Sequence, residues 1–409
     1  MASARSKFST LKQICEYIPG HLVSKLAREY GVDNQVARTF KPWSHVVALL
    51  YAQVSHAIGL NAVCDAMGLH KGELSRIRGA TPPARNTLSH ANRTRPAAMA
   101  EALFWSVLEH LKTINPSFGG RKYKGFPRRF KRMIHVVDST TIELIAHCMD
   151  WARHRRKKAA AKLHLRLDLA SFLPKFAVVD TARDSDTGRA REVCAQVGAG
   201  EIVLFDKAYT DFEHLNALDD GAVWWVTRAK SNLHVKCVRR RLKRPCGRIL
   251  WDKEVELAAP SSRKRYPGTL RLIRALVEID GKDVEMEFLT NNFTWSAQTV
   301  ADLYKCRWSI EVFFKQIKQT LQLCDFLGHN KNAIQWQVWM ALLVYVLLRY
   351  VAHLSLWPHS FTRLCALVRS CPWSRFDLLC VLRAYGTARG DFRLLSAPRQ
   401  GDLFAIAPG

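Results

Sequence analysis

Three acidic residues stand where a chain can present carboxylates rigidly. Asp138 closes the apolar run Ile134-His-Val-Val, Asp206 closes Ile202-Val-Leu-Phe, and Glu311 lies in Tyr304-Lys-Cys-Arg-Trp-Ser-Ile-Glu-Val-Phe-Phe-Lys-Gln-Ile-Lys. Hard divalent cations such as Mg²⁺ prefer carboxylate oxygens, and two such cations can clamp the attacking and leaving oxygens of a phosphodiester. Taken singly, an aspartate after a strand is more often a turn residue or a helix N-cap. The third acid carries the argument. At about 100° per helical residue, Tyr304, Arg307, Glu311 and Lys318 fall within roughly 60° of one another and form one polar stripe. Beside it, Leu303, Ile310, Phe313, Phe314, Ile317 and Leu321 keep helical spacing and would dock the helix on a sheet. A solvated face with an Arg307–Glu311 ion pair explains the charges but not the particular set of residues.

For the two aspartates to meet, their strands must be neighbours. Short β-rich runs start at Ile134 to Val137, continue at Leu163 to Leu169 and Phe176 to Val179, and resume at Ile202 to Phe205 and Val223 to Thr227. Helical stretches fall over Gly188 to Val197 and Asp211 to Leu218. The order β-β-β-α-β-α-β is that of the ribonuclease-H-like fold, in which the first and fourth strands adjoin. Residues 229–290 hold further strand-like segments, Ile249 to Leu257, Leu270 to Ile279 and Val284 to Leu289, and read as an all-β insertion. Helix returns at Ser296, a good N-cap, and runs without Gly or Pro to Leu327.

The expected fold class is therefore α/β, a ribonuclease-H-like core interrupted by an all-β insertion, with helical N-terminal and C-terminal parts. The divisions are 1–118 (helical, DNA-binding), 119–228 (first part of the core), 229–290 (insertion), 291–328 (final core helix) and 329–409 (helical, suited to assembly). In the leader, apolar periodicity marks Trp43 to Ile58 and Met99 to Leu111, and Asn61 to Arg76 could form a helix-turn-helix across a Gly turn. Gly119 to Arg132 reads as a basic linker.

Charge narrows the partner. Lys and Arg number 62 against 35 Asp and Glu, a formal net charge of +27, which favours a polyanion through counterion release. Basic runs at Trp151 to Lys158, with Arg155, Arg156, Lys157 and Lys158, and at Val238 to Pro245, with Arg239, Arg240 and Arg241, fit a phosphate track, and Arg263-Lys-Arg adds to it. The longest clean apolar run, Val338 to Leu348, is short of a bilayer span and reads as a buried helix, so no membrane partner is expected. The first residues lack a secretory h-region, which points to the cytosol. The 11 cysteines form no CxxC pair or zinc spacing and read as reduced, mostly buried thiols.

Tyr304, Arg307, Glu311 and Lys318 match Y-x2-R-x3-E-x6-K, the signature of the IS-four family of insertion-sequence transposases, which this sequence resembles over nearly its whole length. Asp138 in His-Val-Val-Asp-Ser-Thr, Asp206 in Phe-Asp-Lys-Ala-Tyr-Thr-Asp-Phe and Trp308 extend the match, as does Thr87 to Pro96 in the leader; Ala208 stands where many relatives have glycine. The resemblance implies a bacterial, cytoplasmic, DNA-associated enzyme of the nucleoid. It implies metal-dependent cut-and-paste chemistry, with Asp138, Asp206 and Glu311 as the catalytic acids holding two Mg²⁺ or Mn²⁺ ions per site. Tyr304, Arg307 and Lys318 would then grip DNA phosphates. The substrates would be double-stranded terminal inverted repeats and target DNA, held by a homodimer that pairs two ends. Relatives with the insertion form a hairpin and stack a flipped base on an aromatic residue, for which Trp224, Trp225 and Trp251 are candidates here. The rival readings are a ribonuclease-H-like nuclease without strand transfer and a non-catalytic repressor derived from a transposase.

Overall fold

A computed structural model of the chain describes residues 5–32, 40–57, 59–120, 126–144, 153–155, 158–181, 186–242, 244–279, 281–320 and 327–384. The first 120 positions are helical where described: Thr10–Cys15, Leu22–Glu29, Pro42–Ser55, Leu60–Leu69, Lys71–Ser75, Arg85–Thr94 and Ala97–Ile114. Pro42 sits in the first turn of its helix, where its missing N–H costs nothing. The helix-turn-helix reading of Asn61 to Arg76 loses its glycine turn: Gly68 lies inside Leu60–Leu69, and only His70 separates that helix from the short Lys71–Ser75.

The helix Lys331–Ser355 forms the spine of the molecule. Asn330 caps it, its side chain accepting from the Ala333 N–H at 2.9 Å. By length and composition this helix could cross a membrane, but it is mostly buried, as a core helix is. It packs on Pro42–Ser55 and Ala97–Ile114, so the N-terminal and C-terminal helical parts, separate in the sequence, share one core. Polar groups fix that union. His45 Nε2 meets Asn92 Oδ1 at 2.8 Å, Asn332 Nδ2 donates to the Asn92 and Arg95 carbonyls, and Trp336 Nε1 donates to the Arg95 carbonyl at 2.7 Å. Burial pushes His45 down to about 3, so it joins this network neutral.

Ten described strands form one sheet: β1 Ile134–Leu144, β2 Arg153–Arg155, β3 Lys158–Asp168, β4 Pro174–Thr181, β5 Ile202–Phe205, β6 Trp224–Arg228, β7 Val235–Arg240, β8 Ile249–Leu257, β9 Leu270–Ile279 and β10 Lys282–Thr290. Along the sheet the order is β2-β3-β1-β5-β6-β10-β9-β8-β7, with β4 also on β3. β1, β5 and β6 are parallel, and β3 is antiparallel to β1. The helices Asp186–Val193 and Phe212–Asp220 make the crossovers, so β1, β3, β4, β5 and β6 follow the expected β-β-β-α-β-α-β order, to which the short β2, paired with β3, is an addition the sequence reading did not contain. The continuous apolar runs of β5 and the centre of β6 belong to strands covered on both faces.

The insertion departs from the expectation of an all-β unit. The helix Pro260–Arg265 lies within it, and β10 pairs with β6 through Phe288↔Arg228 and Leu289↔Thr227, so its strands continue the main sheet. Phe288 and Leu289 point to opposite faces and both are buried, which ties this end of the insertion into the core. A buried ion pair fastens it further. Arg271 reaches Asp252 with Nε and Nη2, at 3.0 and 2.7 Å, and its Nη1 donates to the Asn292 and Trp295 carbonyls beside the Ser296 N-cap.

The helix expected from Ser296 to Leu327 is broken. It runs Ala297–Cys306, turns, resumes as Ser309–Lys315, and passes into a π-helical segment at Gln316–Thr320, the last described residues before 327. The N–H groups of Arg307, Trp308, Ile310 and Glu311 bond three residues back instead of four, and the Ser309 hydroxyl takes the Cys306 carbonyl at 2.7 Å. Ile310, Phe313, Phe314 and Ile317 nevertheless dock as the periodicity required, and Phe313 packs edge-on against Tyr345 of the spine at 4.8 Å between ring centres. Leu321 lies outside the described residues.

Candidate active site

Asp138 and Asp206 are brought together by register. Val137 and Phe205 are the last partners of the parallel β1–β5 ladder, so the next residue on each strand carries its carboxylate to the same place, strands being about 4.8 Å apart. Asp138 does not end its strand: β1 continues to Leu144 against β3, and Asp138 stands at the point where β5 leaves it. Asp206 does end β5 and caps the 3₁₀ turn Lys207–Tyr209, its Oδ2 accepting from the Ala208 N–H at 3.5 Å. Asp138 Oδ1 likewise accepts from the Ser139 N–H at 2.8 Å.

Glu311 joins them through Arg307. The guanidinium donates from Nη1 to Asp138 Oδ2 at 3.0 Å and from Nη2 to Glu311 Oε1 at 2.8 Å, while Tyr304 donates its hydroxyl to Asp206 Oδ1 at 3.4 Å. Arg307 is buried, and its positive charge lies among acids whose oxygens suit a metal. Among the described residues no group of three metal-ligating side chains is placed to hold an ion; Glu311 is engaged by Arg307 and is 57% exposed. The donor set still fits hard divalent cations, and the guanidinium marks where a cation is tolerated. Burial pushes the Asp138 carboxyl up to about 6, Arg307 and the Ser139 N–H oppose that rise, and Asp206 and Glu311 add to it. Burial likewise pushes the Tyr304 phenol up to about 12, so it remains a donor.

The helix break moves the polar stripe. Tyr304 is 2% exposed and packs on Phe288, showing the site little beyond its hydroxyl. Lys318 Nζ donates to the Thr141 carbonyl at 2.6 Å, farther along β1 from the acids. Arg239 and Arg240 are exposed on the edge strand β7, whereas Arg241 is engaged by Glu254 and the Phe293 carbonyl. Arg156 and Lys157, and the side chains of Arg155 and Lys158, lie outside the described residues. Of the tryptophans, Trp225 is fully buried and Trp224 packs on Trp295, while Trp251 on β8 is partly open with Lys253 and Arg274 over its ring. Nine cysteines are described as free thiols; Cys15, Cys194 and Cys365 are buried, but Cys237, Cys246 and Cys380 are exposed, so "mostly buried" does not hold.

Sequence reasoning missed a polar layer beside the acids. Asp186 accepts from Ser139 Oγ at 2.6 Å and from Lys162 Nζ at 2.9 Å, and His164 Nδ1 lies 3.0 Å from the Tyr209 hydroxyl. The signal was available in the polar residues Lys162, His164, Arg166 and Asp168, which alternate with leucines along β3.

The profile of the transposase DDE domain matches residues 129–347, and that of a domain of unknown function, DUF4372, matches residues 6–77. A Sinorhizobium fredii protein described as a transposase is 32% identical over 305 residues, 74% of this chain and 81% of its own length. The transposase given for insertion sequence element IS5377 of Geobacillus stearothermophilus is 30% identical over 54% of this chain and 58% of its own. Transposase InsG of insertion sequence element IS4 of Escherichia coli is 28% identical over 51% and 49%. The matches thus span about half of these last two relatives. A solved piggyBac transposase synaptic complex with hairpin DNA superposes on 91% of this chain and 78% of its own, at 9% identity and a TM-score of 0.44, a likeness too loose to bear an argument.

Proposed function

The chain belongs to the family of DDE-domain transposases, of the IS4 insertion-sequence type, and from that premise we propose that it cuts DNA at the element's ends and joins the freed ends to target DNA at the Asp138–Asp206–Glu311 site. The observation that carries this reading is the placement of Asp138 and Asp206 side by side at the end of the β1–β5 ladder, with Glu311 held to Asp138 by one guanidinium. The sheet from β4 through β3, β1 and β5 to β6 is read as the ribonuclease-H-like core, with the β7–β10 segment attached to its edge.

Asp138, Asp206 and Glu311 would hold two Mg²⁺ or Mn²⁺ ions, whose chemistry would be activation of the attacking water or 3′-hydroxyl and neutralisation of the leaving oxygen. Arg307 then gives up its bridge between Asp138 and Glu311 and turns to a phosphate, which it can meet with two parallel N–H groups. Tyr304 keeps Asp206 oriented through its hydroxyl. Lys318 and the exposed Arg239 and Arg240 extend the cationic path toward double-stranded DNA, and a homodimer would pair two ends. Trp251, partly open and flanked by cations, is the best placed of the three tryptophans to stack a flipped base in a hairpin step.

The test is cleavage of DNA carrying the element's own ends with Mg²⁺ or with EDTA, comparing wild type with Glu311→Ala. Wild type is expected to cut and join only with metal, and the variant to bind the ends without cutting. Binding without cutting by both proteins would leave a DNA-binding repressor, and cutting without joining a nuclease.

A further inference from the structure

We propose that the first two residues of the helix Asp186–Val193 form a positioning clamp that sets the spacing of the Asp138 and Asp206 carboxylates; the inference rests on the two-metal reading above. Each acid accepts a hydrogen bond from a backbone N–H that follows it, Asp138 from Ser139 and Asp206 from Ala208. The same two residues are what the helix start holds. Asp186 Oδ1 takes the Ser139 hydroxyl at 2.6 Å, and Thr187 Oγ1 donates to the Ala208 carbonyl at 3.0 Å. One turn thus grips the β1 side and the β5 side of the site together, two residues beyond the last rung on β1 and three beyond it on β5.

The rest of the cluster stiffens the clamp. Lys162 Nζ holds the second Asp186 oxygen at 2.9 Å, and the fully buried His164 on the same strand β3 meets the Tyr209 hydroxyl, which closes the turn begun at Asp206. Asp186 is part-buried, with its side chain 18% exposed, and Lys162 pairs its charge. Ser139 and Ala208 lie next to the acids, and Asp186 and Thr187 lie one step further out. Neither of the latter is assigned contact with DNA. Metal ligands depend on such outer partners, whose loss commonly costs about 10–100-fold in metal affinity.

The test uses the full-length chain without DNA, with Mn²⁺ binding read from loss of the free-ion electron paramagnetic resonance signal. Thr187→Val removes the hydroxyl at nearly constant shape, Thr187→Ser restores it, and Asp186→Asn keeps an acceptor for Ser139 but not the charge facing Lys162. The clamp predicts that Thr187→Val weakens Mn²⁺ binding roughly 10–100-fold, that Thr187→Ser recovers most of it, and that the melting temperature and the affinity for end DNA stay near wild type. Unchanged Mn²⁺ binding in Thr187→Val and Asp186→Asn would overturn the clamp. So would a loss that follows the melting temperature and is not recovered by Thr187→Ser. A wild-type chain that binds no Mn²⁺ and cuts no DNA would instead remove the two-metal reading, and the clamp with it.

Discussion

Asp138 is the residue at which folding and the proposed chemistry pull in opposite directions. Burial, helped by Asp206 and Glu311, lifts its carboxyl from the usual 3.8 to about 6, so the fold prefers the protonated form. A group whose pKa rises on folding contributes stability below its unfolded value and loses it as pH climbs to the folded value, here between about 4 and 6. Above that window the metal-free chain carries the full cost of a charged Asp138. Asp138→Asn is therefore expected to raise the melting temperature in EDTA at pH 8, to change it little near pH 3.5, and to abolish cleavage. Calorimetry at the two pH values checks this, and an equal or lower melting temperature at pH 8 would contradict it. On the proposed metal-binding reading the same proton must leave before a cation binds, and a bound cation would restore the balance that burial upset.

The helix that delivers Glu311 shows how much an element depends on its neighbours. Its apolar spacing was legible, and Ile310, Phe313, Phe314 and Ile317 are buried as that spacing required. Its break was not legible, because the bonds to residues three back at Arg307 to Glu311 have no marker such as glycine or proline in the sequence. The start of the helix is held from the insertion, where Arg271 joins Asp252 to the Asn292 and Trp295 carbonyls. Removing one partner of a buried pair strands the other, at about 3–5 kcal/mol. Arg271→Ala is expected to lose stability of that order in urea and to lower cleavage with it, whereas Arg271→Ala combined with Asp252→Ala should recover part of the stability. No recovery in the double variant would mean that the carbonyl contacts, and not the ion pair, hold the junction.

At the scale of the whole molecule, the +27 charge and the core shared by the two helical parts act together. One sheet carries the acids at its centre and exposed cations, Arg239 and Arg240, on its far edge. The interlocked helices of the two termini make a second layer that backs the site through Phe313 and Tyr345. DNA binding should fall steeply with salt, the logarithm of the affinity declining linearly with the logarithm of salt concentration, by about 0.9 for each phosphate neutralised. Arg239→Ala with Arg240→Ala is expected to reduce that slope by about 1–2 without altering the melting temperature. An unchanged slope would place the DNA path elsewhere on the surface.

The sequence by itself determined the family and named the residues proposed for its chemistry. Acid side chains following apolar runs, a fixed set of Tyr, Arg, Glu and Lys, and a large cationic excess are properties of residue type and spacing, and apolar periodicity located most of the core strands and helices, because each element must bury one face. Tertiary structure decided what spacing cannot encode. The Val137↔Phe205 register places two aspartates far apart in the chain side by side, and the continuation of β6 into β10 makes one sheet where two units were read. The placement of Asp186 and Thr187 beside Ser139 and Ala208 is likewise a matter of packing, in which hydrogen bonds between distant segments choose partners that no local pattern names.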